Sequence, residues 1–252
     1  MKKYLASVVL FASVWANAQS DQLFSQANDA YNSGEYQKAI ELYEEIIADG
    51  LHSSELYFNL GNAHYKLNEI GPSIYYYEKA LLLNPSDGEI KNNLVYAQNM
   101  RLDAIEKMPK TAMAKIYEGV IGLFSFDQWA AMAVISAMIF VLAYLFYYFM
   151  RSALKKRIAF ISSMVSMFLA FWALIFSYLR HQEYKNDKPA IIFSEEVKIT
   201  AEPNNRSQAV FILHEGTKVN VLDQYDGWSK IKIADGQTGW MPTENLKSLK
   251  DF

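Results

Sequence analysis

The sequence predicts a multidomain membrane protein: an all-α array of helical repeats, then a two-helix transmembrane hairpin, then an all-β barrel. Three observations lead there. Residues 129–150 and 158–179 are two apolar runs without a single charged side chain. Residues 27–51 recur at 61–85 with a constant offset of 34. From Val197 onward, short β-rich runs alternate with turn-forming clusters.

Each apolar run is 22 residues long, enough for a helix of roughly 33 Å against ~30 Å of hydrocarbon. Between them lies "RSALKKR", whose Arg151, Lys155, Lys156 and Arg157 place the 151–157 loop on the cytoplasmic side by the positive-inside rule. Residues 19–128 and 180–252 then both lie outside. The N-terminus agrees: Lys2 and Lys3, an apolar core from Leu5 to Trp15 and Ala16-Asn17-Ala18 read as a secretory signal peptide, 1–18, cut before Gln19. The protein is thus expected in a bacterial inner membrane, two-pass, with both soluble parts periplasmic.

The chain has no cysteine, which excludes disulfides, a thiol nucleophile and thiolate metal sites. Residues 19–107 hold 14 acidic and 6 basic side chains, which argues against nucleic acid or anionic lipid as partners of that part.

Within the repeated segments Asn28 aligns with Asn62, Tyr31 with Tyr65, Ile40 with Ile74 and Tyr43 with Tyr77. The period, the small and Tyr positions and the closing Asn84-Pro85 resemble the tetratricopeptide repeat, a helix–turn–helix unit that stacks into a curved solenoid. Two units, 20–53 and 54–87, need a neighbour. Ser86 and Glu89 form an S-x-x-E box, and Ile90, Leu94, Ala97 and Met100 recur at helical spacing, so 88–107 reads as a capping helix. The resemblance implies a concave groove for an extended peptide, presenting Phe24, Asn28 and Tyr31 from one unit and Phe58, Asn62 and Tyr65 from the next. Asn28 and Asn62 could meet a peptide backbone as both donor and acceptor, whereas the tyrosines favour holding repeats together. Phe24 and Phe58 stand where carboxylate-clamping relatives carry Lys, which favours an apolar or aromatic peptide.

Residues 111–126 are apolar without being long enough to span. Ile116, Val120, Leu123 and Phe124 share a helical face, which suits either an interfacial segment or a further helix packed on the repeats. Ser125 and Gln128 form a second capping box where the first span should begin. Ser162, Ser166 and Ala170, with Ala133 and Ala137, are small residues at four-residue steps, so the spans are expected to pack on each other or to dimerise.

The runs "VKITA", "AVFIL", "KVNVL", "WSKIKI" and "GWM" give about five strands, with tight turns at Asp226-Gly227 and Asp235-Gly236. The His-Glu-Gly-Thr turn, the Asp-Gly-Trp and the Asp-Gly-x-x-Gly-Trp resemble the bacterial SH3-like domain over 190–250. That resemblance implies binding of peptides or cell-wall fragments through exposed aromatics, here Tyr225, Trp228 and Trp240, with one tryptophan expected in the core.

Chemistry is hard to find. His52, His64, His181 and His214 lack metal-ligand spacing, and no nucleophile-elbow, phosphate-loop or dinucleotide motif occurs. No catalytic residue, metal or cofactor is assigned. The full order of segments, with "EIKNNLVYAQ", "RLDAIEKMP" and "LFSFDQWA", resembles the BatE family of aerotolerance-operon proteins of Bacteroidetes-type bacteria. What the resemblance implies is a non-enzymatic membrane scaffold that works with von Willebrand A-domain membrane proteins and a MoxR-type ATPase in envelope stress. The other expectation is a cell-wall sensor whose barrel binds peptidoglycan.

Overall fold

The computed structural model describes residues 20–106 and 108–251; the expected signal peptide lies outside them. The chain forms two compact units, one drawn from both flanks of the sequence and one comprising Met108–Asp187.

The first flank is a run of five helices: α1 over 20–32, α2 Tyr36–Ala48, α3 Ser54–Lys66, α4 Ile70–Leu83 and α5 Gly88–Asn99. Ser53 caps α3 by accepting from the Leu56 amide. The start of α5 departs from the expected box: Asp87 accepts from the amides of Glu89 and Ile90, while the Ser86 hydroxyl is turned to Asn84. The helix also stops at Asn99 instead of running to 107, because the following segment is held elsewhere by Asp103, described below. Ile74, Tyr77 and Ala80 of α4 pack with Leu60 and Ala63 of α3 and with Leu94 and Ala97 of α5 in one buried core. The approach of α4 to α3 is close. A Cβ on Gly61 would lie 2.6 Å from the Tyr77 ring, so that position admits no side chain. The residue 34 positions on is Val95, half exposed, so α5 cannot receive a further helix in the same manner.

The second flank is a sheet of seven antiparallel strands, not the expected closed barrel of five. They are β1 Pro189–Ile192, β2 Glu196–Thr200, β3 Ala209–His214, β4 Lys218–Tyr225, β5 Trp228–Lys232, β6 Thr238–Pro242 and β7 Leu246–Ser248. Their order is β3-β2-β6-β5-β4-β1-β7, which leaves β3 and β7 as edges. Closure would need β7 to meet β3, but β7 has three residues and the chain beyond it turns to the repeats. Asp226 and Gly227 both have positive φ and make the two-residue β4–β5 turn. The sheet core is aliphatic, with Ile199, Ile231 and Met241 fully buried.

Strand β1 explains why it escaped the alternating pattern. Ala190 and Ile192 belong to the sheet core, whereas Ile191, on the other face, is fully buried in the core of the repeats. With apolar neighbours on both faces, β1 reads as a continuous apolar run.

The second unit begins with α6, Ala112–Val120, and a 3-10 turn, Ile121–Leu123. Two helices follow that are long and apolar enough to cross a membrane: α7, Phe126–Phe149, and α8, Ala153–Asn186. The box at Ser125 and Gln128 is formed and starts α7 three residues before Trp129. Helix α8 extends past its apolar run at both ends, so only Met150–Ser152 separates the helices and Lys155, Lys156 and Arg157 are helical rather than in a loop. Lys, Arg, Ala and Leu are strong helix formers and nothing here interrupts them. The two helices pack along each other. Their buried small residues are Ala133, Ser163, Ser166 and Ala173, whereas Ser162 and Ala137 are exposed, so the seam lies beside the stripe the four-residue steps suggest.

Three polar clusters join sheet to repeats. Lys79, 5% exposed, reaches Asp251 at 2.5 Å, and Tyr75 donates to the same carboxylate at 2.9 Å. Its neighbour Glu78 accepts from Lys218 at 2.6 Å. Asp103 accepts from the Thr217 hydroxyl at 2.6 Å, from the His214 amide at 2.7 Å, and lies 2.7 Å from the His214 ring nitrogen. Burial pushes the Asp103 and Asp251 carboxyls up, but the hydrogen bonds they receive outweigh it and hold both below the usual carboxylate range. A depressed carboxylate stabilises the fold above its unfolded pKa and loses that contribution as pH falls through the folded value. The junction should therefore weaken below about pH 4. Urea unfolding compared at neutral and acid pH checks this: Asp103→Asn and Asp251→Asn should start less stable at neutral pH and lose less on acidification.

Candidate functional site

The helical periodicity generates a ladder. Asn28 Oδ1 accepts from the Tyr43 hydroxyl at 2.5 Å and from Asn59 Nδ2 at 3.0 Å. One repeat on, Asn62 Oδ1 accepts from the Tyr77 hydroxyl at 2.6 Å and from Asn93 Nδ2 at 2.9 Å. Each asparagine thus bolts the second helix of its own unit to the first helix of the next. Burial pushes the Tyr43 hydroxyl up to about 12 and the Tyr77 hydroxyl in the same direction, which keeps both as donors. Both lone pairs of each Oδ1 are then engaged. Asn28 and Asn62 can offer a ligand their Nδ2 donors only, a narrower role than the donor and acceptor the sequence suggests.

Beside this ladder is a cleft of about 330 Å³ lined by Tyr31, Asn62, Tyr65, Lys66, Tyr77, Glu89, Asn93 and Tyr96. It brings together Tyr31, Asn62 and Tyr65 from the groove candidates. Phe24 and Phe58 do not line it; their rings pack on Tyr43 and Tyr77 with centroids 5.8 and 5.9 Å apart. Phe24 instead borders a separate cleft of about 310 Å³ with His52 and Glu55. Asn59, Asn93 and Tyr96 were not singled out from sequence. The same offset of 34 finds them, since Asn59 aligns with Asn93 and Asn62 with Tyr96.

The sheet carries a second groove, of about 550 Å³, between β2 and the start of β3 on one side and the ends of β5 and β6 on the other. Trp228 and Pro242 supply its apolar wall, and Glu196, Lys198, Asn205 and Asn245 its polar groups. Tyr225 pairs with Trp228 across the hairpin and is exposed. Trp240 does not line the groove and carries the Lys230 ammonium 6.0 Å above its ring. Neither tryptophan enters the core, contrary to expectation, because aliphatic side chains fill it.

The histidines serve packing and junctions. His64 stacks on Tyr76 with centroids 5.2 Å apart and its Nδ1 lies 2.5 Å from Glu69. Among the described residues no three His, Cys, Asp or Glu side chains converge as a metal site.

Residues 54–87 match the family model of the tetratricopeptide repeat. Residues 196–247 match that of the bacterial SH3 domain. The chain therefore carries both modules, which point to protein–protein interaction and are compatible with cell-wall binding. No curated protein matches the chain.

The ladder makes a separable demand on Asn62. Asn62→Ala strands the buried Tyr77 hydroxyl and the Asn93 amide, and should cost about 1–3 kcal/mol in urea unfolding. Asn62→Asp keeps the acceptor and should remain much closer to the parent.

Proposed function

We propose that the protein is a non-enzymatic, membrane-anchored adaptor whose repeat cleft holds an extended peptide segment of a protein partner. The observation that carries this is the ladder of asparagines with engaged oxygens and available Nδ2 donors beside a cleft walled by tyrosines. Donors on that wall suit the carbonyl oxygens of an extended chain, and Tyr31, Tyr65 and Tyr96 supply broad faces for its side chains.

The two apolar helices anchor the protein, with Arg151, Lys155, Lys156 and Arg157 at the cytoplasmic end and the repeats and sheet in the periplasm. In the setting suggested by the BatE resemblance, the partners are von Willebrand A-domain membrane proteins and a MoxR-type ATPase system acting in envelope stress. A second reading rests on the SH3-domain groove: Trp228 beside amide and charged groups suits a wall glycopeptide, which would make the protein a cell-wall sensor.

A photo-crosslinker at Tyr65 in the full chain, in membranes, should capture a discrete envelope protein, and Asn62→Asp should reduce the capture while leaving the fold intact. Absence of any captured protein would sink the adaptor reading. Co-sedimentation of the full chain with purified peptidoglycan, abolished by Trp228→Ala, would instead favour the sensor.

A further inference from the structure

Helix α6 leaves one side bare. Met113, Ile116, Val120 and Leu123 are 76, 61, 46 and 67% exposed, and at 100° per residue they fall within one stripe about 80° wide along α6 and the turn after it. No residue of α6 itself is buried, and the anchor is the turn after it: Ile121 is buried, and its carbonyl accepts from the Trp129 indole N–H at 3.0 Å. None of the stripe residues belongs to a buried core cluster among the described residues.

The position of the stripe says what covers it. Ser125 caps α7 directly after Phe124, and the Phe126 carbonyl accepts from the Ser177 hydroxyl at 2.9 Å. Ser177 is two residues from the end of the second apolar run, where Arg180 begins the polar extension of α8. Helix α6 thus enters the hairpin at the level where both apolar runs meet polar residues. Its charges do little to select lipid, since Lys110 is paired with Glu118 and Lys115 is the one remaining cation of the helix.

We propose that α6 is an interfacial helix whose Met113–Ile116–Val120–Leu123 stripe is seated about 5–10 Å into the headgroup–acyl boundary of the bilayer, zwitterionic lipid being sufficient. This rests on α7 and α8 spanning the membrane and is independent of what the repeats bind.

The absence of cysteine makes the test direct. Ile116→Cys, Val120→Cys and Leu123→Cys, with Lys115→Cys for the polar side and Ile139→Cys within α7, are labelled with a nitroxide in the full chain. The protein is reconstituted in phosphatidylcholine vesicles with and without phosphatidylglycerol. The ratio of accessibility to oxygen over a water-soluble nickel chelate should be severalfold higher at 116, 120 and 123 than at 115, and unchanged by the anionic lipid. Equal ratios at 116 and 115 overturn the proposal, as does protection of 116, 120 and 123 from both reagents, which marks a protein contact. Lipid exposure that appears only with phosphatidylglycerol overturns the sufficiency of zwitterionic lipid. A water-exposed label at 139 overturns the spanning of α7 and this proposal with it.

Discussion

The rest of the structure depends on a strand with two interiors. Successive residues of β1 point to opposite faces, so Ile191 is buried among the helices while Ala190 and Ile192 are buried in the sheet. Neither core is complete without those three residues, and Leu249 beyond β7 adds a second plug to the helical side. The polar clusters at Lys79, Glu78 and Asp103 then fix the orientation of a contact whose driving force is apolar burial. Because residues 188–251 pack on residues 20–106, any crossing of a membrane by the intervening segment must be even in number. The helices long and apolar enough to cross a membrane are two among the described residues, a number that meets that condition.

The asparagine ladder divides one side chain between two tasks. Its oxygen faces inward and holds three helices together, so removing it is a stability defect. Its amide is the part left for recognition. Sequence comparison of the two units cannot separate these, since a residue repeated for packing and one repeated for binding leave the same mark. The oxygen's hydrogen-bond partners make the distinction, and they are themselves legible at the same spacing once α5 is treated as the first helix of a third unit.

Local features were the most legible. The offset of 34, the Ser125–Gln128 box, the Asp226-Gly227 turn and the two apolar runs each depend on residues no more than one repeat length apart, and each is seen. Features that depend on distant partners were not. The barrel stays open because Leu249 and Asp251 answer to the helices rather than to β3. The tryptophans stay at the surface because β1, unrecognised among alternating strands, brings Ala190 and Ile192 to the sheet interior. Asp87 displaced Ser86 as the α5 cap because, one residue nearer the first free amides, its Oδ1 accepts from both Glu89 and Ile90.

The discontinuity of the first unit also has a consequence in time. During synthesis α4 emerges with Tyr75, Glu78 and Lys79 uncovered, and some hundred residues, including both long apolar helices, must follow before β1 exists, and more again before β7. The helices therefore wait, half finished, for strands made long after them, and until those strands arrive two interiors remain open at once. The length of the segment inserted into this unit thus sets how late the unit can close.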